Sequence, residues 1–128
     1  MPGWMTMFPK KEFPFMYDSV KDSGARQSFD TGAVRDTQDN KPRYDLIPVA
    51  ALRRLATHYA NGAKKYGEHN WTKGIPASRC IASAERHLFQ WVEGDRSEDH
   101  LSAVLFNIMA IIHFEETERK DMLDVPSN

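Results

Sequence analysis

Cysteine is almost missing from the 128-residue sequence, and its scarcity excludes two classes of small protein. The single Cys80 cannot form an intramolecular disulfide, so the chain is not a disulfide-stabilised scaffold. No cluster of Cys residues has the spacing of a structural zinc site. A chain with so little cysteine is typical of a reducing compartment, and we therefore expect a cytoplasmic protein.

Long apolar runs are missing as well. No segment approaches the roughly 20 apolar residues that a membrane-spanning helix requires, so we expect no membrane partner. The first residues, Met1–Phe15, are rich in Met, Phe and Pro. They contain no continuous apolar stretch of the kind found in signal peptides, and we predict no signal peptide.

The sequence carries no strong excess of charge of either sign. Its 17 Lys and Arg against 18 Asp and Glu give a net charge of −1, which leaves no basic excess to neutralise nucleic-acid phosphates. We expect no stable nucleic-acid partner, although local basic clusters can still hold a small anion. A Gly-rich phosphate-binding loop and the motifs of Ser or Cys nucleophiles are also lacking.

Composition along the chain indicates three regions. Residues 1–30 contain three of the seven prolines and several aromatics without a regular period, which predicts an extended or partly disordered arm. The aromatics Trp4, Phe8 and Phe13 are numerous enough for the arm to dock on this chain or on a second subunit. Residues 31–120 are expected to form one helical domain, and residues 121–128 a C-terminal tail.

Apolar residues at spacings of three and four predict three helices. The first runs from Pro48 to the stop at Gly67, and the second from Pro76 or Ala77 to about Glu93. The third is predicted from an N-cap at Ser97 to about Arg119, with Glu98 and Asp99 suited to the positive helix end. No strand pattern competes, so the predicted fold is all-α: a small bundle of three main helices with an extended N-terminal arm, completed by homo-oligomerisation.

Four polar residues interrupt the apolar faces of the second and third helices: Glu85, His87, His100 and Asn107. A carboxylate in such a position must be paired or bound to a cation, and for Glu85 a structural ion pair is an equal alternative. Taken singly, His and Asn in a core helix more often make structural hydrogen bonds. Taken together on adjoining helices, the four residues favour a polar site between packed helices.

Basic and aromatic residues form a second group before the predicted second helix. Lysines in the last turn of a helix favour its dipole, and this accounts for them without any ligand. A neighbouring loop with Tyr, Asn and Trp could also stack a base and hold phosphates, and an earlier loop offers the same two interpretations. The residues are Lys64, Lys65, Tyr66, Asn70 and Trp71, and in the earlier loop Lys41, Arg43 and Tyr44.

Four blocks of the sequence resemble the dATP/dGTP diphosphohydrolase domain found in bacteriophages. They are GAVRDTQDNKPRYDLIP, GAKKYGEHNWTKGIP, SAERHLFQW and EDHLSAVLFNIMAIIHFEE, and the resemblance covers roughly Phe29 to Glu118. It implies metal-dependent hydrolysis of purine deoxynucleoside triphosphates to monophosphate and pyrophosphate. It also implies a nucleotide as the small-molecule partner, and host cytoplasm as the location if the chain is phage-encoded.

The family is distantly similar to MazG-like all-α pyrophosphohydrolases, whose acidic metal ligands lie on two helices as E-x-x-E and E-x-x-D. Here His100 and Ala103 occupy the places of the second motif. His87 and Gln90 have the spacing of the first, and Glu85 is the nearest acid. A purely carboxylate cage is therefore absent from these positions. Either mixed Glu and His ligands bind the metal, which favours Mn, Co or another transition ion, or the metal site lies elsewhere in the chain.

These expectations combine into one mechanistic hypothesis. Glu85, His87 and His100 would hold one or two divalent ions (Mg, Mn or Co) that activate water, and Asn107 would orient a ligand or that water. Phosphate charge would be neutralised by Lys41, Arg43, Lys64, Lys65 and Arg86, and the base contacted by Tyr66, Asn70 and Trp71. Tyr44 is a further substrate-binding candidate. The rival hypothesis is a non-catalytic nucleotide-binding or host-protein interaction module on the same scaffold, while the net charge disfavours a DNA-binding domain.

Overall fold

The computed structural model describes residues 20–126, which divide into two compact units, 20–48 and 49–126. Most of the predicted aromatic arm, including Trp4, Phe8 and Phe13, lies outside the described residues. In the described part of the chain, no helix has both the length and the apolar character needed to cross a bilayer.

The smaller unit contains a β-hairpin that the sequence did not predict. Strand β1, Arg26–Ser28, pairs antiparallel with β2, Val34–Asp36, and a 3₁₀ turn follows at Tyr44–Leu46. The hairpin loop closes because Gly32, at φ +89°, donates its N–H to the Phe29 carbonyl at 2.9 Å. The expectation of no strands was wrong here, because three-residue strands are too short to show an alternating pattern.

The larger unit confirms the three predicted helices: α1 at Val49–Tyr66, α2 at Ala77–Val92 and α3 at His100–Glu116. Short 3₁₀ segments lie at Asn70–Lys73 and Lys120–Met122. Helix α1 ends where Gly67 adopts φ +93° and donates to the Ala63 carbonyl at 2.8 Å, the left-handed termination expected of a glycine.

The predicted N-cap of the third helix, Ser97, is wrong. Asp99 caps α3 instead, accepting hydrogen bonds from the backbone N–H of Ser102 at 3.2 Å and from its hydroxyl at 2.8 Å. Ser97 is held in the preceding turn, where its N–H and hydroxyl donate to the Asp95 carboxylate at 2.8 and 2.6 Å. The hydrogen bonds to Asp95 keep Ser97 from capping the helix, and the helix therefore begins at His100.

Helices α2 and α3 lie antiparallel and form the most extensive contact between described helices of the unit. Ser83 contacts Asn107, while His87, further along α2, contacts His100, earlier on α3. Their interface buries small residues, so the two backbones approach closely. The buried interface residues are Ala77, Cys80, Ala84, Ala103 and Ala110.

Helix α1 contacts α3 from another side and runs parallel to it. Arg54 pairs with Asp99 at the start of α3, and Tyr59, one turn later, contacts the ring of Phe106. Because α1 and α2 both pack on α3, α3 is the central helix of the unit.

The C-terminal segment is packed onto the start of α2. The Asp124 carboxylate accepts from the Ser78 N–H at 2.9 Å and from its hydroxyl at 2.5 Å. Helix α2 has no side-chain cap of its own at Pro76, so Asp124 satisfies a backbone donor from a distant part of the chain. Part of the predicted tail, 121–128, therefore stabilises a helix end.

One face of α3 remains uncovered. Leu105, Ile108 and Ile112 are each exposed by more than two fifths, and their spacing places them in one stripe. A helix that is apolar on all sides is normally buried on all sides. The expected homo-oligomer remains a prediction, and this stripe is a surface that it would cover.

Two glycines give a matched test of backbone strain. Gly74 has φ +124°, and an added Cβ would lie 2.8 Å from both Arg119 Nη2 and Met122 Sδ; Gly62 lies within α1 with nothing within 4 Å. We expect Gly74→Ala to destabilise the protein by about 1–3 kcal/mol. Gly62→Ala should stabilise it by roughly 0.5–1 kcal/mol. Urea unfolding of both variants measures this, and an unchanged midpoint for Gly74→Ala would contradict it.

Candidate metal centre and adjoining pocket

Three potential metal ligands meet where α2 turns into α3. His87 comes from α2, Glu98 from the connecting loop and His100 from the first position of α3. The two Nδ1 atoms face each other at 2.9 Å, and Glu98 Oε1 lies 3.6 Å from His87 Nδ1. One donor atom from each residue lies within 4.8 Å of the others. We call these three residues the metal centre.

His100 is fully buried, and its second ring nitrogen is unusual. Nε2 has no hydrogen-bond partner among the described residues, while Asp95 Oδ1 lies 3.4 Å away. Hydrogen bonds from Ser97 lower the pKa of Asp95 to about 2, so the carboxylate is charged at neutral pH. A carboxylate beside the outer nitrogen of a histidine is the usual second layer of a metal site.

His87 is suited to bind a cation in its neutral form. Burial lowers the pKa of its imidazole, and only the nearby Glu98 carboxylate acts in the opposite direction. The charge of the neighbouring Arg86 guanidinium lowers it further. A histidine with a lowered pKa keeps its lone pair at neutral pH, which metal binding requires.

These distances and donors fit a divalent transition ion. Neighbouring ligands of an octahedral ion with bonds of about 2.1 Å are about 3.0 Å apart, close to the 2.9 Å between the two imidazole nitrogens. Two imidazoles and one carboxylate suit Mn, Co or Zn better than Mg, which prefers oxygen ligands.

Arg54 and Asp99 hold the ligand-bearing segment in place. Arg54 Nε and Nη2 donate to the two Asp99 carboxylate oxygens at 3.0 and 2.5 Å, a bidentate pair. The Arg54 guanidinium keeps the pKa of Asp99 well below its usual range. Asp99 also caps α3 and lies between Glu98 and His100 in the sequence. The pair therefore fixes both ligands relative to α1.

The structure does not bring Glu85 into the metal centre. Glu85 is exposed on α2, because the helix turns its Ala77, Cys80 and Ala84 face toward α3. Its neighbours Phe89 and Val92 are exposed as well, so the apolar arc that predicted burial of the carboxylate is partly solvated.

Several residues that were predicted to contact the base line one pocket of about 590 Å³ between the helices of the larger unit. Tyr66, Asn70 and Trp71 are in its wall, and Asn107 reaches it from α3. Tyr59, Trp71 and Phe106 form an aromatic cluster, with ring centroids 4.9–6.4 Å apart. We call this cavity the aromatic pocket.

The cationic residues that were predicted to neutralise phosphate charge lie on different elements of the chain. Lys64 and Lys65 are exposed at the end of α1, with Lys65 Nζ 5.1 Å from the Tyr66 ring centroid. Arg86 is exposed on α2 and donates to the Ser83 hydroxyl at 3.3 Å.

The remaining predicted residues, Lys41, Arg43 and Tyr44, belong to the smaller unit. Lys41 pairs with Asp36 at 3.1 Å, and Arg43 with Asp45 at 2.7 Å. Both cations line a separate cavity of about 260 Å³, whereas Tyr44 is exposed. These cations thus already have acidic partners.

Sequence reasoning missed Glu98 as a ligand and Asp95 as the partner of His100. Glu98 was explained by its place near a helix start, although its position two residues before His100 was visible. His58, Tyr59 and Phe106 in the pocket wall were also missed, because aromatic residues at helical spacing are usually core.

Comparison with known proteins identifies one relationship. Residues 31–124 match the family model described as dATP/dGTP diphosphohydrolase, N-terminal. The matched range is well over half of the chain and contains the metal centre and the aromatic pocket. No curated protein and no solved structure matches the chain.

The pairing of Arg54 with Asp99 leads to a prediction about metal affinity. Arg54→Ala should weaken Mn²⁺ binding roughly tenfold, as loss of an outer-layer contact does in other metal sites, because Glu98 and His100 lose their anchor to α1. Asp99→Ala should also destabilise the fold by about 1 kcal/mol through loss of the helix cap.

Calorimetric titration with Mn²⁺ and urea unfolding measure the two effects. Arg53→Ala, an exposed neighbour on the same helix, is the matched control and should bind Mn²⁺ normally. Unchanged Mn²⁺ affinity in a folded Arg54→Ala variant would show that the ion pair does not position the ligands.

Proposed function

Because the chain belongs to the dATP/dGTP diphosphohydrolase N-terminal family, we propose that it hydrolyses dATP or dGTP to monophosphate and pyrophosphate with a divalent metal ion. The observation that supports this proposal most directly is the metal centre, where two imidazoles and a carboxylate converge beside a ligand-sized pocket. A single site between packed helices then holds both the cation and the substrate.

In this mechanism His87, Glu98 and His100 would hold the cation. The chemistry that a bound divalent ion supplies is neutralisation of phosphate charge and activation of water. The Asp95 carboxylate, 3.4 Å from His100 Nε2, favours the tautomer with its hydrogen on Nε2, which would leave the Nδ1 lone pair for the cation. The ion pair between Arg54 and Asp99 keeps Glu98 and His100 in position during turnover.

Water is added across the bond between the α and β phosphates, and positioning and charge neutralisation provide most of the catalysis. Arg86 follows Glu85 and directly precedes His87 on α2, and its exposed guanidinium can reach a phosphate group. Lys64 and Lys65 are further candidates at the end of α1. We assign Asn107 to the pocket rather than to the cation, because it is in the pocket wall.

The alternative is a nucleotide-binding module without catalysis. The presence of only one carboxylate among the three ligands favours it, since MazG-like centres use several acidic ligands. Both proposals require nucleotide binding, and they differ in whether pyrophosphate is released.

The first experiment measures pyrophosphate and orthophosphate release from a panel of nucleoside triphosphates with Mg, Mn, Co or EDTA. We expect pyrophosphate from dATP or dGTP only when metal is present. Glu98→Gln should lower kcat/KM at least about a hundredfold, because it removes the only charged ligand. Glu85→Gln should lose less, since that side chain lies outside the metal centre, and Glu115→Gln on the exposed end of α3 is the control.

Other outcomes lead to different conclusions. Nucleotide binding without pyrophosphate release under any metal would support the non-catalytic module. Inactivation by Glu85→Gln together with a fully active Glu98→Gln would restore Glu85 as the ligand. Release of pyrophosphate in EDTA would contradict the role of the metal.

A further inference from the structure

The aromatic pocket has no role in holding the cation, and its own chemistry indicates a ligand. We propose that it binds the purine nucleoside part of the substrate, with the base among α1, α2 and α3 and the phosphates directed toward the metal centre. This inference rests on the proposed function. It adds His58, Tyr59 and Phe106 to the binding site and makes Asn107 a base-contacting residue.

The size of the pocket suits such a ligand. Its volume of about 590 Å³ is within the range of roughly 300–1,000 Å³ that small-molecule sites occupy. All three helices and the loop before α2 contribute to its wall. It is therefore shaped by the same helix packing that forms the metal centre.

The wall of the pocket is aromatic where a base would need a stacking surface. Tyr59, Trp71 and Phe106 meet edge to face or tilted, with interplanar angles of 57–78°. Rings in this arrangement do not stack on one another. Any planar base gains stacking energy on such a surface, whichever base it is. A purine gains more contact area than a pyrimidine.

The wall has few polar groups, and they lie where they can form hydrogen bonds with the edge of a base. The Asn107 amide nitrogen donates to the Ala103 carbonyl at 2.8 Å, which fixes the orientation of the amide. Among the described residues nothing donates to Asn107 Oδ1, so this oxygen is available to accept from an N–H group of adenine or guanine. His58 and Arg79 add hydrogen-bond donors elsewhere on the wall.

The pocket and the metal centre lie on the same pair of helices. Ser83, in the pocket wall, is one turn from His87, about 6 Å along α2. Asn107 is two turns from His100, about 10 Å along α3. A nucleoside in the pocket can therefore extend its phosphates to the metal centre.

Gly62 allows the pocket to be blocked without disturbing the fold. It lines the pocket from α1, and a Cβ added there meets nothing within 4 Å. Gly62→Leu places a side chain into the cavity, and leucine is a better helix former than glycine. Asn61→Leu is the matched control, because Asn61 is the exposed neighbour on the same helix and does not line the pocket.

The decisive measurement is calorimetric binding of dGMP and dAMP in EDTA, together with Mn²⁺ binding without nucleotide. We expect the unmodified protein and Asn61→Leu to bind at least one of the two monophosphates. Gly62→Leu should weaken that binding roughly tenfold or more and keep its Mn²⁺ affinity. With a hydrolysed triphosphate, Gly62→Leu should raise KM far more than it lowers kcat.

The failure of this inference can be distinguished from failure of the proposed function. Metal-dependent pyrophosphate release with an unchanged KM in Gly62→Leu would overturn the pocket assignment and leave the reaction standing. Monophosphate binding that Gly62→Leu abolishes, without hydrolysis of any triphosphate, would support the pocket and overturn the reaction. No binding of dGMP or dAMP to the unmodified protein at millimolar concentration would overturn the pocket assignment.

Discussion

The close packing of α2 against α3 is the constraint on which the rest of the larger unit depends. Small residues at the interface, such as Ala84 and Ala103, let the two backbones approach. This approach buries His100 and presses its ring against His87. Larger side chains at these positions would separate the helices, open the aromatic pocket and pull the two imidazoles apart. The packing of the two helices therefore brings the two histidines of the metal centre together.

Burying a histidine in this way has a cost that the fold does not fully offset. An unsatisfied buried polar atom costs about 1–3 kcal/mol, and His100 Nε2 has only the distant Asp95 carboxylate at 3.4 Å. A core position could hold an apolar residue at no such cost. Under the proposed function, His100 would help to hold a cation, and this would strengthen the interaction of its Nε2–H with Asp95 and offset the cost. The cost of burying this nitrogen thus supports a functional role for His100.

Periodicity predicted the three helices because their apolar stripes and terminating glycines, such as Gly67, are local signals. It failed at Ser97, where a side-chain contact with Asp95 outcompetes capping, and at the hairpin, whose strands are too short to show a period. In the metal centre, His87 and His100 were found because each interrupts an apolar face. Glu98 was missed because it lies in a loop, where no apolar periodicity exists for a polar residue to interrupt. It comes close to His87 only when α2 and α3 pack together.

The ligand set also bears on how the substrate is attracted. Two carboxylate ligands cancel the charge of a divalent ion, and the centre then loses its attraction for an approaching polyphosphate. In the proposed centre, where Glu98 is the one carboxylate among the three ligands, a bound divalent ion would keep a net positive charge. Arg86, next to His87, would add to this charge, and Arg54 neutralises Asp99, whereas the charged Asp95 carboxylate would reduce it. Under the proposed function, two histidines in place of acids would therefore give a centre that attracts a triphosphate more strongly than a fully carboxylate cage would.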